Sequence, residues 1–273
     1  MRQVRLIRHG ESAANAGEAS TDHARIPLTA KGVEQAYSVA NSFTGAPDLI
    51  VASPFSRARA TAMATVAKFP DVPYEIWPIH EFTYLEPTRC VNTTVAERRR
   101  WVEAYWSRSD PAFLDGSGAE SFLDFIARAQ AFMGRLSDHP AQNIAVFSHG
   151  QVINAVAWLI ERKPQRIDDR AMADWREYEI LSHVPNGGGY TMTKPAEDPH
   201  SFQCVKKEAR RARSGDAKHV ANGVCIHILT AASPASTRWH SIPLLDSRPC
   251  CSQKYRPHRT APGYWPRRRT RLL

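Results

Sequence analysis

Cysteine is scarce here, with five in 273 residues, four of them beyond residue 200. The count is odd, Cys250 and Cys251 are adjacent, and no paired metal-type spacing occurs, which argues against a disulfide framework or a zinc site. No His-Glu-x-x-His pattern is present either, and neither a metal nor another cofactor is expected. Long apolar runs are absent, none approaching the ~18 residues that cross a bilayer. Residues 1–17 contain no apolar leader-type stretch, because Arg2, Arg5 and Arg8 interrupt them. The expectation is a soluble cytoplasmic protein with no membrane partner.

Negative charge is lacking in one region only. Residues 196–273 hold 15 Lys/Arg against 5 Asp/Glu, whereas residues 1–195 hold 21 against 22. The whole basic excess behind the net charge of +9 therefore sits in the tail. That tail carries Lys206-Lys207, Arg210-Arg211 and Arg267-Arg268-Arg269, scattered prolines and one short apolar run at 224–229. It is expected to be disordered, and a frameshifted or read-through extension would look similar. Its charge suits non-specific adhesion to nucleic acid through phosphate contacts, although its aromatics are sparse and no recognised binding module is present.

Up to about Pro195 the pattern is regular. Short β-type runs at 4–7, 48–52, 74–79 and 143–147 alternate with helical periodicity. Thr29 caps an expected helix with Val33, Ala36, Tyr37, Ala40 and Phe43 on one face. Further helices are expected over 57–69, 95–106 and 152–160. Phe122, Phe125, Ile126, Ala129, Met133 and Leu136 mark the most amphipathic one. A closing pair of strands is read at 178–184 and 190–193, around Gly187-Gly188-Gly189. The implied fold is α/β, a mainly parallel sheet with helices on both faces. Residues 1–195 form the catalytic domain in this reading, with an insertion at about 82–120 as a cap, and 196–273 form the tail.

Ligands of such sheets gather beyond the carboxyl ends of the strands. Three segments fall there. Arg8-His9-Gly10-Glu11-Ser12 follows the first strand, Ser53-Pro54-Phe55-Ser56-Arg57-Ala58-Arg59-Ala60-Thr61-Ala62 the second, and Ser148-His149-Gly150 the run at 143–147. Together, and with Leu28-Thr29-Ala30-Lys31-Gly32, they resemble the histidine phosphatase superfamily (the phosphoglycerate mutase-like family) over roughly residues 2–193. The resemblance implies a phosphomonoesterase with His9 as nucleophile and His149 in the catalytic group. Arg8, Arg57 and His149 would hold the phosphate, and Asn15 would be a further donor.

The chemistry is coherent without the family. A phosphate monoester dianion repels nucleophiles until paired N–H donors neutralise it, which guanidinium groups do well. Nearby cations also keep an imidazole neutral and therefore nucleophilic. Attack through a phosphohistidine splits one displacement into two, and the scheme requires no metal. The leaving alkoxide needs a proton. Glu81 is the expected general acid and Glu86 its rival, while Glu120 reads as a helix-start residue. Glu11 reads as a helix-terminus or supporting residue.

Blander roles compete. The aromatics Tyr84, Trp101, Tyr105, Trp106 and Phe113 read mostly as local core, with one or two lining the cap, and Arg98-Arg99-Arg100 as a solvated helix face. Among functions, a phosphoglycerate mutase is the nearest enzymatic alternative. The stretch Ala13-Ala14-Asn15-Ala16-Gly17 lacks the aromatic pattern of the mutases. A nucleic-acid-associated protein or a silent scaffold is the alternative of a different class. A small-molecule phosphate ester is the expected ligand.

Overall fold

The computed structural model of the protein describes residues 1–195 and 202–208. Alternation along β1 (Arg2–Arg8) sends Val4 and Leu6 to one side and Ile7 to the other. β2 (Leu49–Ala52) and β4 (Asn143–Ser148) do the same, with Leu49, Val51, Ile144 and Val146 opposite Ile50, Ala52, Ala145 and Phe147. A strand apolar on both faces must be covered on both. β3 (Tyr74–Ile76), β5 (Gly189–Lys194) and β6 (Gln203–Glu208) complete one sheet of order β3-β2-β4-β1-β5-β6. The first four strands in that order are parallel, β5 is antiparallel to β1, and β6 is antiparallel to β5.

Helices α1 (Ala30–Asn41) and α2 (Ser56–Lys68) contribute Val39 and Ala62 to the smaller apolar layer, with Ile7, Ile50 and Phe147. α4 (Phe122–Asp138), α5 (Gly150–Arg162) and α6 (Asp169–Leu181) contribute to the larger one, with Val4, Leu6 and Val51. The insertion after β3 holds a 3₁₀ turn (Thr88–Cys90) and α3 (Val95–Ser107). Its aromatics join the larger layer. Phe82 stacks on Phe125 at 4.3 Å between ring centroids, and Trp106 stacks on Trp175 at 5.5 Å. The insertion is thus welded to α4 and α6 by rings.

Three sequence expectations are corrected. Residues 178–184 form no strand, because 178–181 close α6. There Asp168 caps the helix by accepting from Ala171 N, and Met172, Trp175 and Tyr178 form the buried stripe. The partner strand of β5 comes later instead, as β6, beyond the boundary expected at residue 195, with Phe202 buried in the larger layer. The face of α1 is also rotated. Thr29 does cap it, accepting from Gly32 N, but Val33 and Tyr37 are exposed and Gly32, Gln35 and Val39 are buried. Gln35 is drawn inward because its Oε1 accepts the Glu11 backbone N–H at 2.7 Å. The rest of the expected tail lies outside the described residues. Among those described, no helix is long and apolar enough to cross a membrane.

The exit of β1 meets the start of α1 backbone to backbone. A Cβ on Gly10 would stand 2.3 Å from the Gly32 carbonyl oxygen, and one on Gly32 would stand 2.0 Å from that of Glu11. Neither fits without displacement. Gly32→Ala is therefore expected to destabilise the protein by about 1–3 kcal/mol in denaturant unfolding, despite alanine's better helix propensity. Gly134→Ala, at an exposed α4 position with nothing within 4 Å, is expected to stabilise by about 0.5–1 kcal/mol. Equal effects at the two sites would refute this account.

Candidate active site

The chain leaves β1 at His9, β2 at Ser53 and β4 at His149, so three neighbouring strands deliver these residues to one rim. His9 and His149 are buried, with ring centroids 5.1 Å apart at 61°. His9 Nδ1 lies 2.7 Å from the Gly10 carbonyl oxygen. A carbonyl only accepts, so the imidazole proton resides on Nδ1 and Nε2 keeps its lone pair. Arg57, on the first turn of α2, donates from Nε to that Nε2 at 3.2 Å and from Nη1 to the His23 carbonyl at 2.9 Å. Thr61 ties the two elements together, accepting from Gly10 N and donating to the Arg57 carbonyl.

His149 Nε2 lies 2.8 Å from Ser53 Oγ, which already accepts the Phe55 N–H. The hydroxyl has a second lone pair as well as its own hydrogen, so this contact fixes the orientation of the ring and not its tautomer. His149 Nδ1 is buried, has no hydrogen-bond partner, and lies 3.8 Å from Glu81 Oε2. Glu81 itself is held by its chain neighbours. Ser148 Oγ donates to the Ile79 carbonyl at 2.8 Å. Arg128 donates to the His80 carbonyl at 2.9 Å while gripping Glu120 through two 2.7 Å bonds. Arg8 donates from Nη1 to the Val184 carbonyl, and its buried Nε has no partner.

These groups face one cavity of about 330 Å³. Arg8, His9, Asn15, Arg57 and Glu81 line it, and His149, which does not, is packed against His9 and Glu81. The structure thus brings together all six residues singled out by sequence. Asn15 is the outermost. Its Oδ1 accepts from Ser12 and from Asn186 Nδ2, so only its amide hydrogens remain to donate inward. Glu86 does not line the cavity, and its side chain sits against Gly116. Glu11 faces away from the chemistry, accepting from Thr29 and Lys31. Of the basic run, only Arg98 reaches the cavity, while Arg99 pairs with Glu103 and Arg100 lies over Trp101. Of the five cap aromatics weighed above, only Tyr84 lines it.

Residues the sequence did not flag also matter. Ser53 was visible in its motif, but not its bond to His149. Asn186 donates to the His9 carbonyl across 177 positions. His23 and Gln151 line the cavity. Only the late Gly-Gly-Gly stretch beside Asn186 hinted at a close approach.

Burial chiefly, then Arg57 and Arg8, holds the His9 pKa well below the usual histidine range. His149 is lowered likewise, by burial first and then by Arg57. Glu81 is raised by burial, with Arg57 and Arg8 opposing. Burial brings Arg57 down to about 10. His9, Glu81 and His149 place one potential ligand atom each within 4.8 Å of one another, a set that could in number hold a cation. The charge around them does not suit one. His9 Nε2 is engaged by a guanidinium, and a second guanidinium lines the same cavity, so the site attracts anions.

Residues 4–191 match the model of the histidine phosphatase superfamily (branch 1). The chain is 32% identical over 152 residues to the adenosylcobalamin/alpha-ribazole phosphatase of Escherichia coli (strain K12), covering 55% of this chain and 74% of that protein. The Salmonella typhimurium protein of the same name is 31% identical over 156 residues, with the same shares. Among solved structures, a putative alpha-ribazole-5'-P phosphatase from E. coli K-12 superposes with a TM-score of 0.59 at 26% identity, over 77% of this chain and 97% of that one. A mycobacterial glucosyl-3-phosphoglycerate phosphatase shares the fold, with a TM-score of 0.58 at 20% identity over 78% and 100%. With three separated segments meeting at one anion-attracting rim, the chain belongs to the histidine phosphatase superfamily and is a phosphatase.

Proposed function

We propose that the protein hydrolyses phosphate monoesters without a metal, through a phosphohistidine on His9. One observation carries the reading. His9 Nε2 keeps its lone pair, because Gly10 takes the Nδ1 proton, and it faces the cavity beside Arg57. In the first step Arg57 Nε exchanges its bond to Nε2 for a phosphoryl oxygen, the freed Nε2 attacks phosphorus, and the bond to the leaving oxygen breaks in line with it. Arg8, Arg57, His149 and the Asn15 amide neutralise the phosphoryl oxygens. Glu81 gives its proton to the leaving oxygen. In the second step water attacks phosphorus, Glu81 takes a proton from that water, and the P–N bond breaks to release phosphate and restore His9.

The direction of each pKa fits these roles. The low His9 value keeps the nucleophile neutral into mildly acidic solution, and the raised Glu81 value keeps a proton available there. Activity on esters of poor leaving groups should fall as pH rises through the Glu81 value. It should also fall as pH drops through that of His9, well under 6.5. The leaving group would meet Ile26, Leu85, Pro87, Val95 and Val102, with Arg98 as the charged exception. Such a wall suits an ester with an apolar body. Alpha-ribazole 5'-phosphate, suggested by the names of the curated relatives, therefore belongs in a substrate panel with sugar phosphates, nucleotides and phosphoserine.

Two experiments test the mechanism. With radiolabelled substrate and acid-sensitive, base-stable trapping, wild type should carry label and His9→Ala none. His9→Ala should also lose about 10³-fold or more in kcat, and the wild-type rate should be unchanged by EDTA. Chelator-sensitive turnover, or label on the alanine variant, would sink the proposal. Glu81→Gln should cut kcat about 10²–10⁴-fold on an alkyl phosphate and far less on p-nitrophenyl phosphate, whose leaving group needs little proton assistance. Equal losses on both esters would remove Glu81 from the acid role.

A further inference from the structure

A second, smaller cavity of about 120 Å³ lies behind the first. Arg8, Glu81 and Gln151 line both and so form the partition between them. The rear cavity is completed by Glu179, His183, Asn154, Gly150 and Val184. The partition is short of partners, since Glu81 Oε1 and Arg8 Nε are buried and make no hydrogen bond within the protein. A polar space of this size behind two such atoms is one that water fills.

On the substrate side Glu81 faces two guanidiniums, and cations beside a carboxyl strip its proton. The acid step needs that proton kept. Burial helps, but Arg8 and Arg57 oppose it. The groups facing Glu81 are Arg8 from β1, Arg57 from α2, His149 at the β4–α5 junction, Tyr84 from the cap, and Glu179 from α6, with His183 further round the rear cavity. Glu179 is the one anion among them. Burial raises the Glu179 pKa above the usual carboxylate range, and its ion pair with Arg176, at 2.5 Å, and then Arg8 oppose that rise in favour of the anion. Arg8 interacts with both Glu81 and Glu179 and is anchored beside them by the Val184 carbonyl.

We infer that Glu179 is a positioning residue for the acid step: by sharing Arg8 with Glu81 across the rear cavity, it keeps the proton on Glu81 as the substrate pocket operates. This rests on the acid role of Glu81 proposed above. Removing the Glu179 charge leaves the cation of Arg8 undivided, so Glu81 surrenders its proton at lower pH. The alkaline limb of kcat for an alkyl phosphate should therefore move to lower pH in Glu179→Gln, by about half to one pH unit. Glu179→Asp keeps the charge and should restore the limb most of the way. His183→Gln changes the cavity without removing an anion and should leave the limb in place. On p-nitrophenyl phosphate the Glu179→Gln rate at the pH optimum should stay close to wild type.

The experiment is a kcat–pH profile on both esters for wild type, these three variants and Glu81→Gln, with thermal melting of each. A limb that stays put in a folded Glu179→Gln overturns the inference, as does a uniform loss of kcat at all pH values. If Glu179→Gln does not fold, Glu179→Met, which also removes the charge, takes its place. A limb moved to lower pH there supports the inference, and a limb that stays put contradicts it. A limb that survives Glu81→Gln belongs to another group; the acid role then fails first and the Glu179 inference falls with it. Loss of the Glu81→Gln limb together with a fixed Glu179→Gln limb isolates failure of the inference alone.

Discussion

Positive charge held out of water organises this protein. Two guanidiniums and two imidazoles converge where β1, β2 and β4 end, and His9, Arg57 and His149 are buried there. Arg57 is spent on neutral acceptors, the His9 ring and the His23 carbonyl, and so keeps its full charge. Dry positive charge is costly unless an anion arrives to share it. The fold bears that cost because the surrounding sheet is among its best-packed parts, with β4 buried at every position but its first. An incoming phosphate relieves the strain, and its pull is stronger there than in water.

The same constraint explains the protonation states. A buried imidazole beside guanidiniums rejects a second proton, and a buried carboxyl keeps its own. The two groups are pushed in opposite directions by one environment, His9 toward the neutral imidazole and Glu81 toward the protonated carboxyl. Backbone details complete the arrangement. The Gly10 carbonyl selects the His9 tautomer, and Ser53 holds the ring of His149 in place.

The fold was legible where the signal was local. Short apolar runs ending in His9, Ser53 and His149 gave the strands and their functional ends, and Thr29 gave the start of α1. Arg57 came with them, since its motif also places the first turn of α2. What escaped depended on distant parts of the chain. Asn186 acquires its role only when residue 9 is brought beside it, and Arg98 differs from Arg99 and Arg100 only by which side of α3 meets the cavity. The strand misread at 178–184 came from Tyr178, Ile180 and Leu181, a β-like cluster. The wider spacing of Met172, Trp175 and Tyr178 and the Asp168 cap outweigh it. β6 was hidden by the lysines and glutamate around Val205, a composition that suits an edge strand as well as a tail.

The stacked rings that fasten the cap have a consequence for how selectivity changes over time. Phe82 on Phe125 and Trp106 on Trp175 give the roof no easy hinge, since lifting it would expose several aromatic faces together. Under the proposed function the mouth acts as a rigid template that sorts visitors by outline. A lineage acquiring a new preference would do so by exchanging side chains at positions 95, 98 and 102, leaving the architecture of the roof alone.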